Sequence, residues 1–494
     1  MENKWGQIPP IYFGAFVAGS AAVLAFAPTG FFPLALLAFA WLIHLLADAS
    51  PRRAFWIAFL FGMGLFGAGV SWVYISLSQF GGMAPPLAAL ATFLFCVLLA
   101  AFTGAAGWLQ ARVPAGAVMR ACLLIPAAWV LGEWLRSWVL TGFPWLSAGY
   151  ASTGWPLQGY APLAGVFGMS FATLSLAGML WWLARARKPL ILVPVVLLLA
   201  AGEGLRHLDW TTPAGEPVRV ALLQGNVSQE LKFRPDRYAL TLETYARLAE
   251  ESQAQLVILP ETALPRFLHQ IEPAYLARLE AAARRNNGDL LVGVPFRGAE
   301  GDFYNSVVSL GTAPRQLYHK THLVPFGEFI PPLFGWINRL LVIPLGNFAR
   351  GAPDQPPLAV AGQRVAVNVC YEDAFGDAIG DGAASATLLV NVSNVAWFGD
   401  SLAPAQHLQI ARLRAIETGR MHLAATNTGV TAAIGRDGAV LARLPQYTTG
   451  RLEVAVQGYT GATPYMRLGD WPAVIASLAL LAAAAFVARR RQRR

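Results

Sequence analysis

The chain has 494 residues, of which 55% are hydrophobic and 13% charged, and its mean hydropathy is +0.46. Soluble proteins carry about a quarter charged residues, so this composition excludes a purely soluble globular protein and predicts that part of the chain lies in a membrane. The net charge of +9 comes without a basic stripe of interleaved aromatic residues, and we therefore expect no nucleic-acid partner.

Hydrophobic runs long enough for a membrane helix, which needs about 20 residues, fill the first 205 residues and return near the end. Eight transmembrane helices are predicted, at about 11–28, 31–48, 54–77, 84–110, 120–140, 160–184, 189–205 and 471–488. The sequence therefore predicts a membrane domain over 1–205 with seven of these helices, a globular domain over 206–470, and a final helix with a basic tail over 471–494.

Basic residues predict the orientation, because Lys and Arg in short loops mark the cytoplasmic side. They occur before or between alternate runs, whereas the loops near 29–30, 78–83 and 141–158 carry none. The basic residues that mark the cytoplasmic side are Lys4, Arg52, Arg53, Arg112, Arg120, Arg185, Arg187, Lys188, Arg489, Arg490, Arg491, Arg493 and Arg494. Both termini are expected in the cytoplasm, and residues 206–470 on the opposite face, which in a bacterium is the periplasm.

Residues 206–470 alternate between strand-like and helix-like runs. Strands are predicted at 218–223, 256–259, 289–293, 305–310, 365–369, 387–392, 422–426 and 431–434, and helices at 236–252, 273–286 and 401–419. This alternation predicts an α/β fold with helical layers on a sheet, and the largely apolar strands indicate burial on both faces.

Cys370 is the candidate nucleophile. It directly follows the alternating, β-branched run 364–369, which would deliver its thiol to the edge of a sheet. Cys96 and Cys122 lie inside apolar runs and are expected to pack as core residues, so no disulfide framework is predicted. A single cysteine at such an edge suits reaction, the alternative being a buried structural cysteine.

Two more polar side chains also follow predicted strands. Glu261 comes after the run 256–260 and Lys320 after the run 316–319, and α/β sheets gather their sites at strand ends. A thiol needs a base, and a nearby cation lowers its pKa and can hold an oxyanion. Glu261, Lys320 and Cys370 supply those three roles; otherwise Glu261 is a helix-terminal carboxylate and Lys320 a solvated lysine.

No metal or cofactor is expected. The seven histidines show no ligand spacing, and no glycine-rich loop of the kind that holds phosphate occurs.

These residues carry a family resemblance. The strings Leu-Pro-Glu261, Tyr-His-Lys320 and Asn-Val-Cys370-Tyr-Glu372 resemble the Glu-Lys-Cys constellation of the carbon-nitrogen hydrolase, or nitrilase, superfamily. Four further strings resemble the apolipoprotein N-acyltransferase family within it, namely Thr141-Gly-Phe-Pro-Trp145, His322-Leu-Val-Pro-Phe-Gly-Glu328, Ala396-Trp-Phe-Gly399 and Gly461-Ala-Thr-Pro-Tyr465. Their order within a membrane protein extends the resemblance over nearly the whole chain.

The resemblance implies an αββα nitrilase-like sandwich and a ping-pong acyl transfer. In this scheme Glu261 takes the proton of Cys370, the thiolate attacks the acyl ester of a membrane phospholipid, and Lys320 helps to hold the oxyanion. The N-terminal amine of a diacylglyceryl-cysteine lipoprotein then attacks the thioester. The implied acyl donor is phosphatidylethanolamine, and the implied protein is a monomer in the bacterial inner membrane.

The resemblance also implies supporting and substrate-binding residues. The supporting residues are Asn305, Glu328, Tyr371 and Glu372, and either glutamate is alternatively a structural ion-pair partner. The substrate-binding residues are Trp145, Phe233, Trp336 and Trp397, although Trp145 and its 141–150 loop alternatively form an aromatic-belt anchor at the membrane surface. Phe233 stands where the family often has tryptophan. Val395 stands where the family more commonly has the aspartate of the string Ser-Asn-Asp-Ala-Trp.

Residues 331–350 are very apolar for a segment directly after Glu328. An apolar patch beside a site usually meets a ligand or a membrane. We expect a mobile arm that enters the outer leaflet and admits lipid tails. Replacing Trp336 and Leu340 by Ser should then weaken lipid turnover more than hydrolysis of a short soluble ester.

Two other functions remain open at this stage. One is a membrane-tethered nitrilase or amidase that hydrolyses a small soluble amide, although seven membrane helices exceed what a tether needs. The other is a transporter or receptor whose outer domain only binds.

In the membrane domain, Glu133 and Arg136 lie at helical i, i+3 spacing and are expected to form an interface pair.

Overall fold

The computed structural model describes residues 10–330 and 347–492. The chain divides into two compact units. The helical unit comprises the residues up to Tyr74, Pro85–Leu208 and the residues from Leu468 on, and the sheet unit comprises Ile75–Ala84 and Asp209–Arg467.

Apolar helices make up the helical unit. Among the described residues, five are long and apolar enough to cross a membrane, namely Pro85–Arg112, Ala117–Arg136, Pro156–Ala186, Pro189–Arg206 and Trp471–Arg491. Two shorter apolar helices, Pro10–Ala25 and Phe32–Leu46, precede them. A predicted span therefore coincides with each of these helices, but the expected count of eight is not confirmed.

The predicted span 54–77 is broken. Helix Pro51–Gly69 and the following segment Val73–Phe80 meet at an angle of 57°, and the two count as one further span only if taken together. Val70 leaves the helical conformation with φ −128° and ψ 16°, and the indole of Trp72 donates to the Gly69 carbonyl at 3.1 Å. Hydropathy alone cannot detect such a bend, because the residues on both sides of it are apolar.

Two mixed sheets of six strands each are found in the described part of the sheet unit. The first contains β1 (Thr211–Gln224), β2 (Leu256–Ile258), β3 (Asp289–Arg297), β4 (Phe303–Gly311), β5 (Leu317–His319) and β12 (Gly450–Gly461), in the order β12-β1-β2-β3-β4-β5. The second contains β6 (Leu358–Val360), β7 (Gln363–Val369), β8 (Leu388–Ser393), β9 (Met421–Thr426), β10 (Ala432–Ile434) and β11 (Val440–Arg443), in the order β11-β10-β9-β8-β7-β6. Strands β1 to β3 run parallel, as do β7 to β9.

Apolar side chains from both sheets form one core between them, including Val220 and Ile258 from the first sheet and Val367 and Val390 from the second. Helices Pro235–Glu250 and Pro273–Arg285 cover the outer face of the first sheet. Helices Gly376–Ala383 and Ala403–Thr418 cover the outer face of the second. The layers are helix, sheet, sheet and helix, as the resemblance implied.

Strand β12 is absent from the sequence-based prediction, and β1 is longer than expected. The two pair antiparallel from Thr211↔Gly461 to Gln224↔Gly450, with one irregularity after Ala214. Most β12 side chains are partly or fully exposed, so the run lacks the continuous apolar character by which the central strands were recognised.

Candidate active site

Cys370 lies at the carboxyl end of β7, where the chain turns into a short 3-10 helix, Cys370–Ala374. Its side chain is half-buried and its φ is +55°, a left-handed conformation that is uncommon for a residue with a Cβ. The amide of Asn391 donates to the Cys370 carbonyl at 3.0 Å, and Nε2 of His407 lies 3.2 Å from the same oxygen. The turn that presents the thiol is therefore held through its backbone.

Glu261 follows β2 and is nearly buried. Its Oε1 accepts from the Asn305 side-chain amide at 2.7 Å, and its Oε2 accepts from the Asn394 backbone N–H at 2.8 Å. The segment that carries Glu261 packs against Gly293 of β3, where an added Cβ would lie 2.3 Å from the Pro260 carbonyl oxygen. A glycine at this position lets the carboxylate segment approach the sheet.

Lys320 follows β5 and is fully buried between two carboxylates. Its Nζ lies 2.9 Å from Glu328 Oε2 and 3.6 Å from Glu261 Oε1. Asn305 Nδ2 donates to both carboxylates, at 2.7 Å each. Burial alone would lower the pKa of Lys320, but Glu328 and Glu261 outweigh burial and raise it, so the ammonium stays charged.

The charges around Cys370 act on its thiol. Burial and the carboxylates of Glu261 and Glu328 raise the pKa of Cys370 above its ordinary value, although Lys320 and the Asn394 N–H act in the opposite direction. The expected lowering by a cation is present but is outweighed, because the thiol is desolvated and the cation is already paired with carboxylates. The resting thiol is therefore neutral and needs a base to react.

Glu372 is held differently from Glu261 and Glu328. Its Oε1 accepts from the Thr321 N–H and hydroxyl, both at 2.7 Å, and from the His322 N–H at 3.0 Å. Its Oε2 accepts from the Val369 N–H at 2.7 Å and the Tyr318 hydroxyl at 3.0 Å. Glu372 thus joins the Cys370 turn to the segment after Lys320.

Tyr371, the residue between Cys370 and Glu372, is half-buried. Its ring centroid lies 5.1 Å from that of Phe375 and 5.8 Å from that of His322, and these two rings stack at 3.6 Å. The three rings form an aromatic group directly after the candidate nucleophile.

Two residues of this site were not identified from the sequence. Asn394, after β8, contributes its backbone N–H to Glu261. Lys232 is 3% exposed, and its Nζ donates to the Glu261 backbone carbonyl at 3.1 Å. The Asn394 backbone N–H has no counterpart that could be recognised in the sequence. Lys232 can be recognised, because it is one of only four lysines in the chain.

Two family models match this chain. Residues 18–179 match the family model of the apolipoprotein N-acyltransferase N-terminal domain, and residues 219–465 match the carbon-nitrogen hydrolase model. The apolipoprotein N-acyltransferase of Nitrosomonas europaea is 47% identical, with 97% of this chain and 98% of the relative covered. The corresponding values for the Chromobacterium violaceum protein of the same name are 45%, 98% and 95%.

The chain belongs to the apolipoprotein N-acyltransferase family. Family membership confirms the resemblance and makes this chain an acyltransferase rather than a receptor. Among solved structures, the chain is similar to the C. elegans NitFhit protein, with 18% identity, coverage of 49% of this chain and 61% of that chain, and a TM-score of 0.41.

The aromatic residues expected to bind substrate in this family member differ in their surroundings. Phe233, beside Lys232, is 44% exposed. Trp397 is partly exposed, and its ring lies 6.2 Å from that of Phe80 in an edge arrangement. In the helical unit, Trp145 is only 4% exposed and packs against Trp72 and Phe143, so reaching a ligand would require its loop to move.

Trp336 and most of the apolar 331–350 segment lie outside the described residues. The part that is described, from residue 347 on, returns to the site: the Phe348 N–H donates to the Glu328 carbonyl at 2.9 Å and the Ala349 N–H to the Phe303 carbonyl at 2.7 Å. Within the described ranges, no group of three or more His, Cys, Asp or Glu residues could hold a metal ion.

Proposed function

We propose that this protein transfers an acyl chain from a membrane phospholipid to the N-terminal amine of a diacylglyceryl-cysteine lipoprotein, through a thioester on Cys370. The observation that carries the proposal is one charged cluster: the Asn305 amide donates to the carboxylates of Glu261 and Glu328, the Lys320 ammonium lies between these two carboxylates, and all three charges act on the Cys370 thiol. This arrangement supplies a base, a cation and a nucleophile within one desolvated site.

In the first half-reaction, the Glu261 carboxylate takes the proton of the Cys370 thiol, and the thiolate attacks the ester carbonyl carbon. The Lys320 ammonium stabilises the oxyanion of the tetrahedral intermediate. The carbon–oxygen bond to the glycerol then breaks, and the leaving alkoxide takes the proton from Glu261. The products are a lysophospholipid and the Cys370 thioester.

In the second half-reaction, the lipoprotein α-amine attacks the thioester carbonyl carbon and Glu261 takes a proton from the nitrogen. The carbon–sulfur bond breaks, the Cys370 thiolate leaves, and the proton on Glu261 returns to it. The lipoprotein gains an amide-linked third acyl chain. Because the thioester holds the acyl group between the two steps, the two amphiphilic substrates need not be bound together.

The organisation of the chain around this chemistry is also part of the proposal. Residues 1–205 and 471–494 form the membrane domain with eight spans in the bacterial inner membrane, and residues 206–470 form the catalytic domain. Both termini lie in the cytoplasm and the site opens on the periplasmic side, supported by the distribution of Lys and Arg. The donor is phosphatidylethanolamine and the protein acts as a monomer.

Mass spectrometry of the intact protein tests the mechanism. After incubation with phosphatidylethanolamine and no acceptor, the protein should gain the mass of one acyl group, which hydroxylamine removes. The double variant Cys96→Ala/Cys122→Ala, which retains Cys370 as its one thiol, should keep the adduct, whereas Cys370→Ala should lose it. An adduct that survives Cys370→Ala, or hydrolysis of a small amide in place of acyl transfer, contradicts the proposal.

A further inference from the structure

Lysine is rare in this chain. Of its 37 cationic residues only four are lysines, and between Asp209 and Arg467 only Lys232 and Lys320 are, all other cations there being arginine. Arginine remains charged in any protein environment, whereas the pKa of a lysine shifts readily when the side chain is buried. Lys232 and Lys320 are 3% and 1% exposed, and both contact the Glu261 segment.

The loop that carries Lys232 is fastened to the carboxyl ends of β8 and β9. Gln229 accepts from the Asn394 side-chain amide at 2.7 Å. Asn427 accepts from the Val227 N–H at 2.9 Å and donates to the Val227 carbonyl at 2.7 Å. These bonds hold the Lys232 ammonium at the Glu261 carbonyl, at 3.1 Å.

The two lysines differ in how their charges are balanced. Lys320 contacts the carboxylates of Glu328 and Glu261 directly. Lys232 instead donates to a neutral carbonyl, and across residues 10–330 and 347–492 no carboxylate oxygen lies within salt-bridge distance of it. Its positive charge is therefore less fully compensated than that of Lys320.

We propose that Lys232 is a positioning residue of the acyl-transfer site, which binds the Glu261 backbone carbonyl and supplies a positive charge, less fully compensated than that of Lys320, that favours thiolate formation on Cys370. This role rests on the function proposed above. Lys232 exchanges no proton during turnover, since the thiol proton passes to Glu261; it acts by its charge alone.

The role has a pH signature. Burial lowers the pKa of Lys232 to about 8, and the charges that face it are those of Glu261, after β2, and Cys370, after β7, both of which limit the drop. The charge is thus present below about pH 8 and is lost as pH rises through that value. Cys370 and Lys320 have raised pKa values and do not titrate in this range.

The test is the pH profile of acyl-enzyme formation by the full-length protein in detergent micelles containing phosphatidylethanolamine. The wild-type rate should fall on the alkaline side, with a midpoint near the pKa of Lys232. Lys232→Arg keeps the positive charge, so its rate of acyl-enzyme formation should stay constant to a higher pH than that of the wild type. Lys232→Met should be slower by about tenfold below the midpoint, as expected if the thiol pKa rises by about one unit, and should show no alkaline decline.

Arg234→Met is the matched control, because Arg234 is an exposed cation two positions away that pairs with Asp236. It should leave the profile unchanged, and thermal unfolding of each variant establishes that it is folded. A wild-type profile without an alkaline decline overturns the role of Lys232 even if every variant misfolds. Absence of any wild-type adduct at any pH would instead overturn the proposed function.

Discussion

Buried charges occur in both units of this protein, but their partners differ. In the helical unit, Glu133 accepts from the Trp129 indole at 2.8 Å and from the Ala148 N–H at 2.7 Å. Arg136 donates to the carbonyls of Phe143 and Trp145, the latter at 2.7 Å. Glu133 and Arg136, which were expected to form an interface pair, therefore bind the loop that follows the helix on which they lie.

At the candidate active site of the sheet unit, three buried charges bind one another. Lys320 lies between Glu261 and Glu328, and the Asn305 amide joins the two carboxylates. Fixed backbone dipoles hold a charge in one protonation state, whereas titratable neighbours allow a proton to move. Glu133 and Arg136 therefore stabilise the architecture of the helical unit, whereas Glu261, Lys320 and Glu328, bound to one another, are placed to support chemistry.

The largest expected effect comes from replacing one of the buried charges that bind one another at the candidate active site. Glu261→Gln removes the base but keeps the size of the side chain, and acyl-enzyme formation should fall by about 10² to 10⁴. Glu280→Gln, which changes a partly exposed carboxylate paired with Arg284, should have no such effect. The measurement is the single-turnover rate of acylation; a Glu261→Gln rate above about a tenth of wild type would contradict the assignment.

Within the site itself, Glu372 is a buried charge that binds backbone groups rather than other charges. Its partners are three backbone N–H groups and two hydroxyls. Glu372→Ala should lower the free energy of unfolding by several kcal/mol, at about 1–3 kcal/mol for each buried donor left unbonded. Denaturant unfolding followed by fluorescence measures the loss. Glu328→Gln is the comparison variant and should reduce acylation more than it reduces stability; the reverse order would refute the distinction.

A smaller effect is expected in the helical unit. Arg136→Met removes the donors to the Phe143 and Trp145 carbonyls and should cost about 2 kcal/mol, the typical penalty for leaving a buried polar group unbonded. Limited proteolysis in detergent should then cut the loop after Arg136 faster than in wild type. Arg112→Met, at an exposed helix end, is the control. Equal protection of both variants would show that Arg136 does not hold the loop.

The sequence predicted the residues whose side chains end a recognisable strand. Glu261, Lys320 and Cys370 each follow a strand-like run, and in the structure each follows a strand. Lys320 Nζ lies 3.6 Å from Glu261 Oε1, and the charges of both residues act on the Cys370 thiol. Asn394 could not be found in this way, because it acts through its backbone N–H, which every residue except proline has. Lys232 lies in a loop with no periodicity, and only its rarity as a lysine marks it.

The fold was predicted where burial is continuous and missed where it is not. The central strands β7, β8 and β9 are almost wholly buried and were placed to within a residue or two. Strand β12, with its exposed side chains, depends on pairing with β1, more than two hundred residues earlier in the chain. The predicted count of eight membrane spans is not confirmed for a related reason, since length and hydropathy do not report a bend.

The left-handed backbone at Cys370 limits which nucleophiles evolution could try at this position. At a φ of +55° an unbranched side chain such as that of serine fits almost as well as cysteine, but the second γ-atom of threonine would crowd the adjacent peptides. Among hydroxyl nucleophiles, serine is therefore accommodated here with less strain than threonine. The geometry of one residue thus restricts the evolutionary paths open to the whole enzyme.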